Sequence, residues 1–192
     1  LGKEVIRTPA DDAIGYIKKT MSGDVMNIKK IRVDKEGAGM GWGAVYAQYL
    51  ESMDQISGQG NGLSVSRQLY KGDEALNESA PLKVGDKITV RLTVKADRDM
   101  DFVQIKDDRA ACMEPLQAVS GFRWSNGLGY YQATKDASTQ FFIDQMRKGT
   151  YVIEYQVYVN RTGEYQAGIA TVQSAYAPEF GGHTGGYRVM VE

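Results

Sequence analysis

The sequence holds one histidine, His183 in Gly181-Gly-His-Thr-Gly-Gly186, and one cysteine, Cys112 in Ala110-Ala-Cys-Met-Glu114. Ser-His-Asp and Cys-His catalysis would both have to run through that one imidazole. No segment resembles a nucleophile elbow. A closed zinc site needs four ligands, which one histidine and one distant cysteine cannot supply. His183 is therefore expected as a solvated residue in a flexible loop, and Cys112 as a buried, inert thiol at an apolar strand end. Asp97, Asp99 and Asp101 have a D-x-D-x-D spacing that raises calcium. An EF-hand loop would next need glycine where Phe102 stands and glutamate where Asp108 stands, so a charged loop is expected and calcium stays an open question. Gly58-Gln-Gly-Asn-Gly62 leads into no helix that could cradle phosphate, and a linker is expected there. The chemistry that remains is aromatic: Trp124, Tyr130 and Tyr131 within Phe122-Arg-Trp-Ser-Asn-Gly-Leu-Gly-Tyr-Tyr131. Beside a loop of a sheet, such rings stack on sugars or grip a protein partner. Core and hairpin packing is the alternative, since strands favour aromatics. No catalytic, metal or cofactor-binding residue is assigned, and the chain is expected not to be an enzyme.

The elements that must position these side chains are strands. In Lys87-Ile-Thr-Val-Arg-Leu-Thr-Val-Lys95, Ile88, Val90, Leu92 and Val94 share one face, opposite Thr89, Arg91 and Thr93. Alternation with period two marks a half-buried antiparallel strand. The run Thr150–Val159 repeats the pattern with Tyr151, Ile153, Tyr155, Val157 and Val159 on one side. Further strands are expected at 63–69, 101–106, 129–135, 139–143, 168–174 and 187–191. Short strands separated by regular turns predict an all-β fold, an antiparallel β-sandwich. Thr8-Pro9 could open a short helix, though Gly15 makes an extended segment as good a reading, and residues 44–53 read as a strand or a short helix, with strand favoured. A boundary is expected near residues 52–62, leaving an N-terminal piece too short to fold by itself.

The totals exclude several classes. The 192 residues carry 23 basic and 24 acidic side chains, a net charge of −1, with no block of one sign. A nucleic-acid partner would need a concentrated basic face. No apolar run approaches the ~20 residues that cross a bilayer, so direct membrane insertion is not expected. One cysteine allows no internal disulfide.

An ordered set of segments resembles the C-terminal end of bacterial alpha-2-macroglobulin-like proteins. It comprises Gly41-Trp-Gly-Ala-Val-Tyr-Ala-Gln-Tyr-Leu-Glu51, Leu82-Lys-Val-Gly-Asp86, Asp107-Asp-Arg-Ala-Ala111 and Glu114-Pro115. Gly129-Tyr-Tyr131, Lys148-Gly-Thr-Tyr-Val-Ile-Glu-Tyr155 and Ala175-Tyr-Ala-Pro-Glu-Phe180 complete it. The resemblance implies that residues 60–192 form the last macroglobulin-type, immunoglobulin-like sandwich, counterpart of the receptor-binding domain in animal relatives. It implies that residues 1–55 are extra N-terminal strands closing a preceding, split β domain. Family members trap proteases: a bait segment is cut, the molecule rearranges, and in many a thioester tethers the attacker. The thioester motif Cys-Gly-Glu-Gln does not occur here, since Met113-Glu114-Pro115 follow Cys112. The implied protein is longer and exported, periplasmic or anchored to the cell envelope. The implied partners are its own other domains and, through the whole molecule, proteases. No cofactor is implied.

Overall fold

Each apolar face found by alternation has to meet another, and a sheet folded back on itself supplies the solution. The structure, a computed structural model, describes residues 18, 20–21, 30–35, 37–77 and 80–192. Contacts divide the chain into two units, Leu1–Gln48 and Tyr49–Glu192. Fourteen strands are formed among the described residues: β1 (Gln59–Asn61), β2 (Leu63–Lys71), β3 (Glu74–Ala75), β4 (Lys87–Ala96), β5 (Met100–Asp108), β6 (Met113–Pro115), β7 (Gly121–Ser125), β8 (Leu128–Thr134), β9 (Ser138–Met146), β10 (Gly149–Val159), β11 (Gly163–Ala167), β12 (Ala170–Ser174), β13 (Gly181–His183) and β14 (Tyr187–Val191). The only helical element among them is a 3-10 turn, Met53–Gln55.

One half of the sandwich runs β6-β10-β4-β2 and the other β12-β5-β9-β8-β7, with β1 and β13 joining them. Every ladder in it is antiparallel. The central pair, β4 and β10, is held from Ala96↔Gly149 to Lys87↔Tyr158. Their inward faces, Ile88 to Val94 and Ile153 to Val159, pack with Leu63, Val103, Ile105, Phe141 and Ile143 in one core. A small ribbon, β11 against β14, adds Ala167, Val189 and Val191 to it. The fold is thus the antiparallel β-sandwich that alternation predicts.

Two turns show why the sequence folds where it does. Gly85, at φ +91°, and Asp86 make the turn into β4, and the Asp86 carboxylate accepts from Lys83 N–H at 2.9 Å and Lys71 Nζ at 2.7 Å. These two donors hold its carboxyl below the usual range, the Lys71 bond first. Between β7 and β8, Asn126 and Gly127 take φ +49° and +78°. Two successive left-handed residues match the right-handed twist of a hairpin, which is why Asn-Gly suits this loop.

Several expectations need correction. Residues 44–52 form no strand, and Val45, Tyr46, Tyr49 and Leu50 are exposed. A strand needs a neighbour for its amides, and among the described residues none is offered to this segment. The expected linker at 58–62 is instead structural: β1 lies inside it, pairing Gln59 to Asn61 with His183 to Gly181. The glycine-rich 181–186 segment is likewise ordered by that pairing, so His183 stands in a strand. The Thr8-Pro9 segment lies outside the described residues.

Candidate functional site

The strand register across β7, β8 and β9 brings aromatic side chains into one row. Phe122 faces Tyr131, and Tyr131 faces Phe142. Phe122 and Tyr131 meet edge to face at 5.1 Å between centroids. Trp124 stands two residues along β7, opposite Gly129. A Cβ at Gly129 would lie 2.8 Å from both Cε3 and Cζ3 of Trp124. The indole therefore lies on bare backbone and turns its other face to solvent, leaving Trp124 76% and Phe122 82% exposed. Tyr131 and Phe142 are partly covered between them.

Tyr130 does not belong to this group. Adjacent residues of a strand point to opposite faces, so Tyr130 turns inward when Tyr131 turns outward. It is 6% exposed and meets Phe141 edge to face at 5.6 Å. Burial pushes its phenol up from the ordinary value. Phe122 and Phe142 were not singled out from the sequence. The signal that would have found Phe122 is Asn126-Gly127, a hairpin mark that makes the segment before it a strand with Phe122 and Trp124 on one side.

The same face continues past the aromatics. Phe142 pairs with Gln104, Gln104 with Gln173, Gln173 with Gly181, and Gly181 with Asn61. At that end a shallow trough of about 350 Å³ is floored by Gly60, Gly181 and Gly182 and edged by Gln59, Asn61, Thr171, Gln173 and His183. Lys106, two residues along β5 from Gln104, is paired to Asp108 at 2.9 Å.

A second concentration of ionisable groups lies inside the sandwich. Arg67 of β2 forms an ion pair with Asp107 of β5, their side chains 4% and 1% exposed. Arg67 also donates to the carbonyls of Gly168 at 2.6 Å and Asp108 at 3.3 Å, and lies 4.5 Å over the Tyr187 ring. Tyr155 of β10 donates to the other Asp107 oxygen at 2.7 Å. Burial pushes the Asp107 carboxyl up against the pull of Arg67, and pushes the Tyr155 phenol well up. Arg109 donates to Thr139 Oγ1 at 2.7 Å and to the carbonyls of Lys135 and Asp136, fastening the turn between β8 and β9. Arg67, Asp107 and Tyr155 hold the two halves together, and Arg67 and Tyr187 also line a second cavity of about 330 Å³. The Asp107-Asp-Arg109 motif is thus a packing motif.

The remaining candidates are dispersed. Asp97 pairs with Arg98 at 2.9 Å, while the Asp99 carboxylate accepts from Lys148 N–H at 2.7 Å. No cluster of three or more metal-ligating side chains is found among the described residues. Cys112 is buried and its thiol is raised by that burial. No helix among the described residues is long and apolar enough to cross a membrane.

The family model of the bacterial alpha-2-macroglobulin MG10 domain matches residues 62–179, the stretch from the β1–β2 turn to the loop before β13. The chain belongs to the bacterial alpha-2-macroglobulin MG10 domain family. The MG10 sandwich is also similar to solved structures. A Salmonella alpha-2-macroglobulin mutant, Y1175G, superposes with a TM-score of 0.61 at 19% identity, covering 71% of this chain and 10% of that one. The Escherichia coli protein from MG7 to its C-terminus gives a TM-score of 0.59 at 17% identity, covering 70% of this chain and 24% of that one. Among curated proteins, "Circularly permutated Ras protein 2" of Dictyostelium discoideum is 29% identical over 138 residues, 68% of this chain. The chain spans 4% of that relative and a small share of each structure's chain.

Proposed function

We propose that the chain is the non-catalytic, C-terminal interaction domain of a bacterial alpha-2-macroglobulin-like protein that traps endopeptidases in its full-length form. The match of the MG10 family model over residues 62–179 carries this proposal. The buried Arg67–Asp107 pair, with Tyr155 bonded to it, joins the two halves of the sandwich, as suits a packed interaction module. Residues 60–192 are the terminal sandwich, and residues 1–55 are closing strands of a preceding split domain. Met40, Trp42, Val45, Tyr46, Tyr49 and Leu50 are all exposed along a segment that pairs with no strand among the described residues, which suits a strand awaiting the sheet it completes. The partners are the other domains of the same protein and, through them, proteases. The protein is exported, in the periplasm or anchored to the cell envelope.

The full-length protein tests this. Incubated with trypsin, it should block digestion of a large protein substrate while leaving hydrolysis of a small peptide substrate intact. Undiminished digestion of the large substrate refutes the trap. Hydrogen exchange at residues 40–50 should be at least tenfold slower in the full-length protein than in the 192-residue chain; equal rates refute the closing-strand assignment.

A further inference from the structure

Beyond trapping, we infer that the outer face running across β7, β8, β9, β5 and β12 to the glycine-floored trough binds a neutral polysaccharide chain. Neighbouring strands lie ~4.8 Å apart. A linear ligand laid across them first meets the row Phe122, Tyr131 and Phe142, then the amides of Gln104 and Gln173 in the same line. Trp124 provides the platform: its indole sits against Gly129, in space a Cβ there would fill, and is 76% exposed. A pyranose ring offers such a face a sheet of C–H bonds, while its hydroxyls both donate and accept. Carboxamides do the same, carrying two N–H donors and a carbonyl acceptor on one side chain. The trough ends the line with more groups of this kind, Gln59, Asn61 and Thr171.

Charge and composition select the ligand. Lys106 is the one cation on these rows among the described residues, and its ammonium is held by Asp108 at 2.9 Å. Asp144, outward on β9, is exposed. An anionic polysaccharide would find no free positive charge there and one negative charge. A protein interface would be expected to set Met, Arg or large aliphatic side chains among its aromatics. Apart from the Lys106–Asp108 pair and Asp144, the outward positions beyond the aromatics carry glutamine, threonine and glycine. The face is matched to uncharged polyhydroxyl chains.

Native gel electrophoresis of the 192-residue chain in gels containing xylan, laminarin, dextran or hydroxyethylcellulose tests the inference. Retardation is expected in at least one of the four, and none in alginate. Trp124→Ala should weaken it at least tenfold and Gln104→Ala several-fold, with unchanged circular dichroism for both. Lys106→Ala should leave it unaltered. Migration unaffected by all four neutral polymers overturns the inference, as does retardation in alginate alone or undiminished retardation of Trp124→Ala. If Trp124→Ala impairs protease trapping by the full-length protein and no polymer retards the chain, the face is a protein contact and the inference falls while the trap stands.

Discussion

Removing Arg67 alone should cost far more than removing the whole buried ion pair. In Arg67→Met, Asp107 keeps only the Tyr155 hydroxyl, and the carbonyls of Gly168 and Asp108 each lose a donor. Breaking a buried pair by deleting one partner costs about 3–5 kcal/mol, because the survivor stays desolvated without compensation. At roughly 2–4 °C per kcal/mol for a domain of this size, the melting temperature should fall by roughly 6–20 °C. Asp107→Leu strands the guanidinium instead and should cost a similar amount. The double variant Arg67→Met with Asp107→Leu leaves no buried charge. Its loss should be about 1–3 kcal/mol, set by the orphaned carbonyls and the Tyr155 hydroxyl. The cycle therefore gives a coupling of at least ~3 kcal/mol. Urea unfolding followed by circular dichroism is the suitable assay, because Trp42 and Trp124 are both exposed and report weakly on the core. A double variant that loses the full sum of the single losses would refute the argument. So would an Arg67→Met loss below about 1 kcal/mol.

Gly182→Ala should destabilise by about 2–3 kcal/mol, since its Cβ would lie 2.7 Å from the carbonyl oxygens of Gln59 and Leu63 and backbone cannot step aside cheaply. Gly121→Ala, with nothing within 4 Å, should stay within about 0.5 kcal/mol in the same urea titration. Tyr187 is pushed up to about 12 by burial against the pull of Arg67, so the folded state holds its proton after the unfolded chain has lost it. The stability it contributes is complete below pH ~10 and is lost as pH rises to ~12, a fall of about 2–3 kcal/mol. Tyr187→Phe should flatten that fall in alkaline denaturation, and an unchanged slope would contradict the assignment. Cys112 should resist a thiol reagent in the folded chain and react fully in denaturant; labelling within minutes under native conditions would show that the core opens there.

The sandwich was legible wherever one face of a strand had to be apolar. Lys87–Lys95 and Thr150–Val159 declare their inner sides because every second residue meets the core. β13 and β1 make no such declaration: Gly181, Gly182 and Gly60 have no side chains to alternate, and their pairing follows from space that only glycine leaves. Residues 44–53 err the other way. They are rich in residues that suit a strand, yet composition does not supply a neighbour, and the neighbour is what makes a strand. Asp107 sits at an inward position of β5, in step with Val103 and Ile105, and alternation alone places a carboxylate in the core. What permits it, Arg67, lies forty positions away and is supplied by the fold.

The residues that carry the family resemblance and the residues of the proposed binding face are largely different, and the difference has a physical origin. Asp107, Arg109, Gly129 and Phe180 are constrained from several sides at once: by the buried pair, by the β8–β9 turn, by the indole that rests on one of them, and by the Arg98 guanidinium lying 4.7 Å from the Phe180 ring. Changing any of them disturbs packing wherever the sandwich is used. Phe122, Trp124, Phe142, Gln104 and Gln173 project from finished strands into solvent, where substitution costs the fold little. Such a face can be re-cut for a new ligand while the scaffold stays recognisable. Tyr131 belongs to both sets, covered by Phe122 on one side and open on the other, and a change there should alter packing and binding together.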